Sequence, residues 1–473
     1  MAHEEMAEIR LQSQEERSWL DPFRNLGIGL TNWTIRYVPD AWVIAVMLSV
    51  TIFIMALVWG GVSPIAAVQA WGKGFWALLA LMAQFSFSIV VAYACAAAPT
   101  VSRFLNRLGS VTNPDKPWQA VLFMVLFSCL TGWINWAVTI IMSAMFVPYL
   151  ARHNPKTDYR LLVAAAYAGI ATMWHSGLSG SATLIVATPD NFLMKTGILT
   201  ELISVDRTIF SNVNWMLIGV SVAIVAVVFF ALTPRPEKAF TLSKKELDEL
   251  IVSATAERPA KMTFAQKMNW WPGWNIICGV ACLIYMFMMF RERGLSAWTI
   301  DMYNMVFLTC ALFLTGRPII FLNACKKGVL GAWGILIQFP FYGGIFGLVS
   351  YTNLGHVITE FFTSIANERT FLPIVYWYSG ILSYFVPSGG SKWAIEAPYL
   401  IPAAKSLGIS PASVTLVYGW GDMLTHLIQP FWAIPILDIT KTSFGQIAGF
   451  CAALFFIYAF IMTGFMFFFP LGL

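Results

Sequence analysis

YAGIATMWHSGLSGSATLIVATP, residues 167–189, and YGWGDMLTHLIQPFWAIP, residues 418–435, decide the fold of this chain. Each is an apolar run with a Tyr, seven further residues, a His and then a break, Gly/Ser-rich in the first and Gln-Pro in the second. Tyr167 and Tyr418 are separated by the same 251 positions as His175 and His426. A helix interrupted at bilayer depth survives only where its freed N–H and C=O groups are buried in protein or line a polar cavity. Two such interruptions, at matching places of two half-chains, point to the binding site of a secondary transporter.

The rest of the chain fits that reading. It is 58% hydrophobic and 11% charged, with 37 Phe and 20 Trp, too little polar surface to cover a soluble globule of 473 residues. The expected fold is an all-α polytopic membrane protein. Nine apolar windows are long enough for a hydrocarbon core of roughly 30 Å, at 41–59, 75–96, 161–193, 215–232, 276–290, 299–315, 329–354, 414–437 and 445–468. Residues 1–40 are too long and too acidic for a signal n-region and are expected to form a cytoplasmic, amphipathic segment. Six of the seven Cys fall inside apolar spans and are expected as small core hydrophobes, with neither a disulfide framework nor a metal site.

Basic residues cluster at Arg103, Arg107 and Lys116, at Arg152, Lys156 and Arg160, and from Arg235 through Lys267. The positive-inside rule makes these loops cytoplasmic. No aromatic-interleaved basic motif points to nucleic acid. With both flanks inside, the segment 118–151 enters and leaves on one side as a re-entrant hairpin with its tip near TGWINW, residues 131–136. One long tilted helix, the alternative, would put a basic cluster outside. A second hairpin, 371–405, is interrupted by VPSGGSK, residues 386–392, and enters from the other face. The polar stretch 234–272 is a cytoplasmic linker with one surface helix opened by the capping box Ser243 to Glu246. A connecting helix follows at 273–298.

The two halves repeat. QAWGKGFWALLALMAQFSF, residues 69–87, aligns with NACKKGVLGAWGILIQFPF, residues 323–341, pairing Lys73 with Lys327, Gly74 with Gly328, Gln84 with Gln338 and Phe85 with Phe339. Trp136 pairs with Trp393 at an offset of 257. Pairs kept in order and nearly in register mark an internal repeat. The first unit is 41–233, with its broken helix at 160–193, and the second is 299–473, with its broken helix at 413–437. An odd number of crossings between their starts makes them inverted-topology repeats.

Ionisable side chains at membrane depth are functional candidates by default, and here they are His175, His426, Lys392, Glu396 and Asp422. His175 either satisfies the broken backbone beside it or shares a role with His426, since imidazole donates to carboxylates and protonates near neutral pH. Ser176, Gly177, Ser179, Gly180 and Ser181 precede a helix start whose N–H groups suit a carboxylate; a packing kink is the plainer alternative. Ser388, Gly389, Gly390 and Ser391 offer the same chemistry from the other face. Lys392 and Glu396 are spaced for an i,i+4 pair, or for direct substrate contact. Asp422 precedes His426 by one turn, spaced for a helix-internal pair that holds a proton or cation, with Thr425 beside it and Gln429 in the break. Thr131 and Asn135 match Ser388 and Lys392 at the 257 offset and could lend oxygens to Na⁺.

INWAVTIIMSAMF (134–146), WHSGLSGSATLIVATP (174–189), VPSGGSKWAIEAPYLIPAA (386–404) and QPFWAIP (429–435) resemble the bacterial short-chain fatty acid transporter family, carriers of acetoacetate, butyrate and similar monocarboxylates. The likeness runs from about Val38 to the C-terminus. It implies an inner-membrane carrier of the ion transporter superfamily, typically a dimer with a scaffold part and a mobile hairpin-bearing part, whose substrate lies among residues 131–136, 174–181, 387–393 and 425–430. The chain departs from the family pattern at Lys392, Glu396 and His426, and at Ala182, Thr183 and Leu184, where the family has Pro. The expected function is uptake of a small monocarboxylate by alternating access with H⁺ or Na⁺ symport, because each unit charge moved against 100 mV costs about 2.3 kcal/mol. Other readings are a dicarboxylate or amino-acid carrier using Lys392, a channel, or an integral-membrane enzyme. Against the enzyme, the sequence has neither a Gly-x-Ser-x-Gly elbow nor HExxH. No cofactor is expected.

Overall fold

The computed structural model describes residues 36, 37, 39, 41–251, 258–386 and 388–468. The segment expected at 1–40 lies almost wholly outside the described residues, as does Pro387 of the second hairpin tip. Among the described residues there are helices and no strands. The first half comprises α1 (Ala41–Val58), α2 (Pro64–Phe75), α3 (Leu79–Ala96), α4 (Pro99–Gly109), α5 (Pro117–Ile134), α6 (Trp136–His153), α7 (Tyr159–Thr172), α8 (Ser181–Ala187), the short α9 (Phe192–Lys195) and α10 (Asn212–Ala231). The linker holds α11 (Lys244–Leu250) and α12 (Phe264–Trp270), followed by α13 (Gly273–Arg293). The second half comprises α14 (Ile300–Thr315), α15 (Pro318–Val329), α16 (Trp333–Ser350), α17 (Leu354–Ile365), α18 (Phe371–Phe385), α19 (Gly389–Ser406), α20 (Pro411–Leu424), α21 (Ile434–Thr440) and α22 (Phe444–Phe468).

Local sequence explains most of the helix starts. Pro stands in the first turn of α2, α4, α5, α15 and α20, where its missing N–H costs nothing. Ser63, Asn135, Asp158 and Ser410 cap α2, α6, α7 and α20 through their side-chain oxygens. The capping box Ser243–Glu246 opens α11 as expected, and a second box, Thr263–Gln266, opens α12, a helix the sequence reading did not foresee.

Among the described residues, seven helical runs are long and apolar enough to cross a membrane, and shorter apolar helices stand at Trp42–Val58, Ile300–Thr315, Phe371–Phe385 and Phe431–Thr440. Burial separates these runs into two kinds. The run Tyr159–Lys195 is 94% buried inside the protein, whereas Phe264–Ala297 is 17% buried. The broken helix is therefore central, and α13 is a peripheral helix that turns its apolar surface outward. Cys278 of α13 and Cys310 of α14, expected in the core, are exposed, while Cys95, Cys129 and Cys451 are buried. Apolar sequence does not separate a face that meets lipid from one that meets protein, because lipid tails are as apolar as Leu.

Element lengths run in parallel through the halves. α2 and α3 have 12 and 18 residues, as have α15 and α16; α6 and α19 have 18 each, α7 and α20 14 each, and α8 and α21 7 each. The packing is reciprocal: α16 lies on α1 and α2, and α3 lies on α14 and α15. Glycines permit the same close approach twice. A Cβ on Gly169 would sit 2.0 Å from the Ser128 carbonyl oxygen where α7 crosses α5, and one on Gly421 would sit 2.3 Å from the Tyr376 oxygen where α20 crosses α18.

Both expected interruptions between paired helices are present. Asn135 alone separates α5 from α6, and the open end of this pair is closed by Lys156 Nζ to Asp115 Oδ1 at 2.7 Å and Thr112 Oγ1 to Asn154 Oδ1 at 3.0 Å. Residues 386–388 separate α18 from α19, whose arms meet through the Tyr378 and Tyr399 hydroxyls at 2.8 Å.

Candidate substrate site at the two broken helices

Helix α7 ends at Thr172 and a 3₁₀ turn, Trp174–Ser176, carries the chain to α8; helix α20 ends at Leu424 and a 3₁₀ turn, Thr425–Ile428, leads towards α21. The backbone groups freed by these breaks are bound by side chains. Ala182 N–H donates to His175 Nε2 at 3.1 Å, which leaves the ring proton on Nδ1 to be donated to Asp422 Oδ2 at 3.1 Å. Tyr167 OH donates to the carbonyls of His426 (2.6 Å) and Gln429 (3.1 Å) in the second break. Asn214 Nδ2 donates to Ser176 O at 2.8 Å, and Ser176 Oγ donates to Met173 O at 2.7 Å. Thr425 Oγ1 donates to Gly380 O at 2.7 Å.

Four of the five ionisable groups expected at membrane depth meet directly, although they come from three separate elements. Lys392 Nζ of α19 lies 3.1 Å from Asp422 Oδ1 of α20 and 3.2 Å from Glu396 Oε1, and all three side chains are fully buried. Lys392 Nζ also donates to the backbone oxygen and the hydroxyl of Ser379 at 2.9 and 2.5 Å, and it stands 4.3 Å from the centre of the Tyr418 ring. Asp422 joins this group to His175. The fifth group, His426, is connected through Ser383, whose hydroxyl donates to Asp422 Oδ1 at 3.1 Å and lies 3.4 Å from His426 Nε2. The expected direct Asp422–His426 pair is replaced by this relay. The reason is local: α20 gives way to a tighter turn at Thr425, which takes His426 off the helical stripe of Asp422.

The remaining sequence candidates divide between the two tips. Asn135 Oδ1 accepts from Ala137 N and Val138 N, its Nδ2 donates to Tyr303 OH, and Thr131 Oγ1 meets Thr139 Oγ1 at 2.9 Å. Ser179 Oγ accepts from Trp136 N at 3.0 Å, joining the first break to the first tip. Gly177 rests against the Trp133 carbonyl, and Gly180 and Ser181 open α8. At the second tip Ser391 Oγ donates to Ser388 Oγ at 2.6 Å, Gly390 packs on Phe85, and Gly389 O accepts from Tyr418 OH at 2.6 Å. A Cβ on Gly389 would lie 2.7 Å from Trp174 Cη2, 2.8 Å from His175 Cε1 and 3.1 Å from Asp422 Oδ2, so the tip sits directly on the charged cluster.

Sequence reasoning missed an aromatic circuit beside the cluster. Trp136 contacts Trp174, Trp174 lies parallel to His426, His426 contacts Trp432 and Trp432 returns to Trp136, with ring centres 5.5–6.5 Å apart. Trp174 also stacks on His175 at 4.3 Å. Trp174 Nε1, Trp432 Nε1 and Gln429 Oε1 are buried without a hydrogen-bond partner among the described residues. Ser379 and Ser383 were also missed, though two hydroxyls four residues apart on an otherwise apolar helix were a legible signal.

The sequence model of the short chain fatty acid transporter family matches residues 23–469. The chain belongs to that family. It is therefore a multi-pass membrane transporter and not an enzyme. A protein of Escherichia coli (strain K12) that carries the provisional name short-chain fatty acid transporter is 33% identical over 425 residues, 89% of this chain and 94% of the relative. One of Haemophilus influenzae with the same provisional name is 32% identical over 432 residues, with the same coverage. The solved structure of Neisseria gonorrhoeae MtrF, which is described with a class of antimetabolite efflux pumps, aligns with a TM-score of 0.51 over 93% of this chain and 97% of its own, at 13% identity. At that identity the likeness is one of fold.

Proposed function

We propose that this short-chain fatty acid family transporter is a secondary carrier of small monocarboxylates of the acetoacetate and butyrate type, taking them up across the bacterial inner membrane with H⁺ or Na⁺. The observation that carries the monocarboxylate reading is the compensation of Lys392. A carrier of dicarboxylates or amino acids needs a further charged group for its substrate, and here Lys392, the one buried lysine among the described residues, is already held by Asp422, Glu396 and Ser379. One substrate carboxylate then remains to be bound by neutral donors. Trp174 Nε1 and Trp432 Nε1 are such donors, buried and unpartnered, on rings that also supply an apolar wall for a short acyl chain. Ser388 opens α19 without a side-chain cap bond, and its helix N-terminus adds a favourable dipole end.

The parallel element lengths and reciprocal packing of the halves support inverted repeats, whose exchange of two equivalent conformations gives alternating access around the broken helices. In this reading α1–α3 and α14–α16 form a scaffold, at which a dimer assembles, and the hairpins with the broken helices move against it. The test is uptake of radiolabelled butyrate and acetoacetate into proteoliposomes under separately imposed proton and sodium gradients. Gradient-driven accumulation, reduced by propionate and unaffected by succinate or glutamate, is expected. Accumulation blocked by succinate or glutamate, or none under either gradient, overturns the assignment.

A further inference from the structure

At the second hairpin we infer that the Lys392 ammonium occupies a site built for a monovalent metal cation, a cation tethered to the chain that spares this half of the carrier an ion from solution. Nζ is surrounded by a backbone carbonyl, a hydroxyl and two carboxylates at 2.5–3.2 Å, with the Tyr418 ring face at 4.3 Å. Carbonyl, hydroxyl and carboxylate oxygens drawn from several elements are the ligand set of a hard cation. A lysine that needed only neutralising would be served by Glu396, one turn along its own helix. Here α18 and α20 bring Ser379 and Asp422 as well.

The first hairpin provides the comparison. A Cβ on Gly132 would lie 2.6 Å from Gly169 O and one on Gly380 3.1 Å from Gly421 O, and these matching crossings put Thr131 at the place of Ser379 and not of Ser388, as the 257 offset has it, while the Trp136–Trp393 match puts Asn135 at the place of Lys392 and Thr139 at that of Glu396. There the two hydroxyls touch directly, at 2.9 Å, and Thr139 Oγ1 donates to Ser128 O at 3.1 Å. A hairpin of this build thus closes with neutral groups alone, so the charged cage of the second half is not a requirement of packing. Two carboxylates also exceed what one ammonium neutralises. The His175 Nδ1–H and Ser383 O–H directed at Asp422 spread the remainder.

This inference rests on the carrier reading for its consequence in transport, but its first test does not. Full-length Lys392→Ala in detergent keeps the cage and leaves room for a sodium ion, or for n-propylammonium, which replaces the atoms removed. Thermal unfolding, followed by Trp fluorescence, is compared in NaCl, n-propylammonium chloride and choline chloride at equal ionic strength. A ligand that binds only the folded form raises the midpoint. The expected result is a rise of about 2 °C or more in Na⁺ or propylammonium over choline, beyond any shift of the unsubstituted protein. A variant that responds no more than the parent overturns the inference. If Lys392→Ala does not fold, Lys392→Ala with Glu396→Gln, which removes one charge of each sign and keeps Asp422 and Ser379, takes its place in the same comparison, and a response no greater than that of the parent again overturns the inference. In proteoliposomes, butyrate uptake by Lys392→Ala should be raised by Na⁺ or propylammonium beyond any effect of either cation on the parent. Absence of butyrate uptake by the parent with the melting response intact would remove the monocarboxylate assignment and leave the cation site standing.

Discussion

Asp422 accepts from His175 Nδ1 and Ser383 Oγ and faces Lys392 Nζ, all within 3.1 Å and all inside the protein. Removing one partner of such a buried group costs far more than its net contribution, about 3–5 kcal/mol for a broken buried ion pair. Asp422→Ala is therefore expected to lower the thermal midpoint strongly in detergent, with Asp422→Asn milder because the amide oxygen still accepts from His175. Gly389 tests the same cluster by steric means. A methyl group there would press on Trp174, His175 and Asp422 at once. Gly389→Ala is expected to cost about 1–3 kcal/mol by overpacking and to depress uptake in proteoliposomes, whereas Gly219→Ala, which meets nothing within 4 Å, should leave both unchanged.

The first hairpin owes its sharp tip to one residue. Asn135 ends α5, caps α6 and donates to Tyr303 of α14, so it fixes both the turn and its seat on the neighbouring helix. Asn135→Ala should cost about 1 kcal/mol as a lost cap, plus the loss of the bond to Tyr303. Tyr303→Phe removes that bond alone. A double-mutant cycle read by thermal unfolding should show the two effects to be non-additive, as for residues in one hydrogen-bonded unit. Additive effects would mean that the tip is held by its cap and not by α14.

Across the whole molecule, α1–α3 and α14–α16 pack on one another reciprocally, and the second hairpin touches this assembly where Gly390 meets Phe85 of α3. If the hairpins move against a scaffold, that contact must break during transport. A cysteine-free background carrying Phe85→Cys and Gly390→Cys, bridged by a short thiol cross-linker, is expected to lose uptake and to recover it on cleavage of the linker; undiminished uptake while bridged would place the moving boundary elsewhere. Much of this architecture was legible in the sequence. The apolar runs, the prolines and capping boxes at helix starts, the two breaks with His175 and His426, the two hairpins and the five ionisable groups are local signals, written in consecutive residues. The tertiary structure decided the rest because it depends on how distant helices face each other. Asp422 takes its imidazole from His175, 247 residues away, and not from His426 one turn on, because the helix stops between them and Gly389 and Gly419, having no side chains, let the His175 ring in beside it. Nor does hydropathy record that α13 turns outward while α7 is buried all round, since an apolar side chain is equally at home against lipid and against protein.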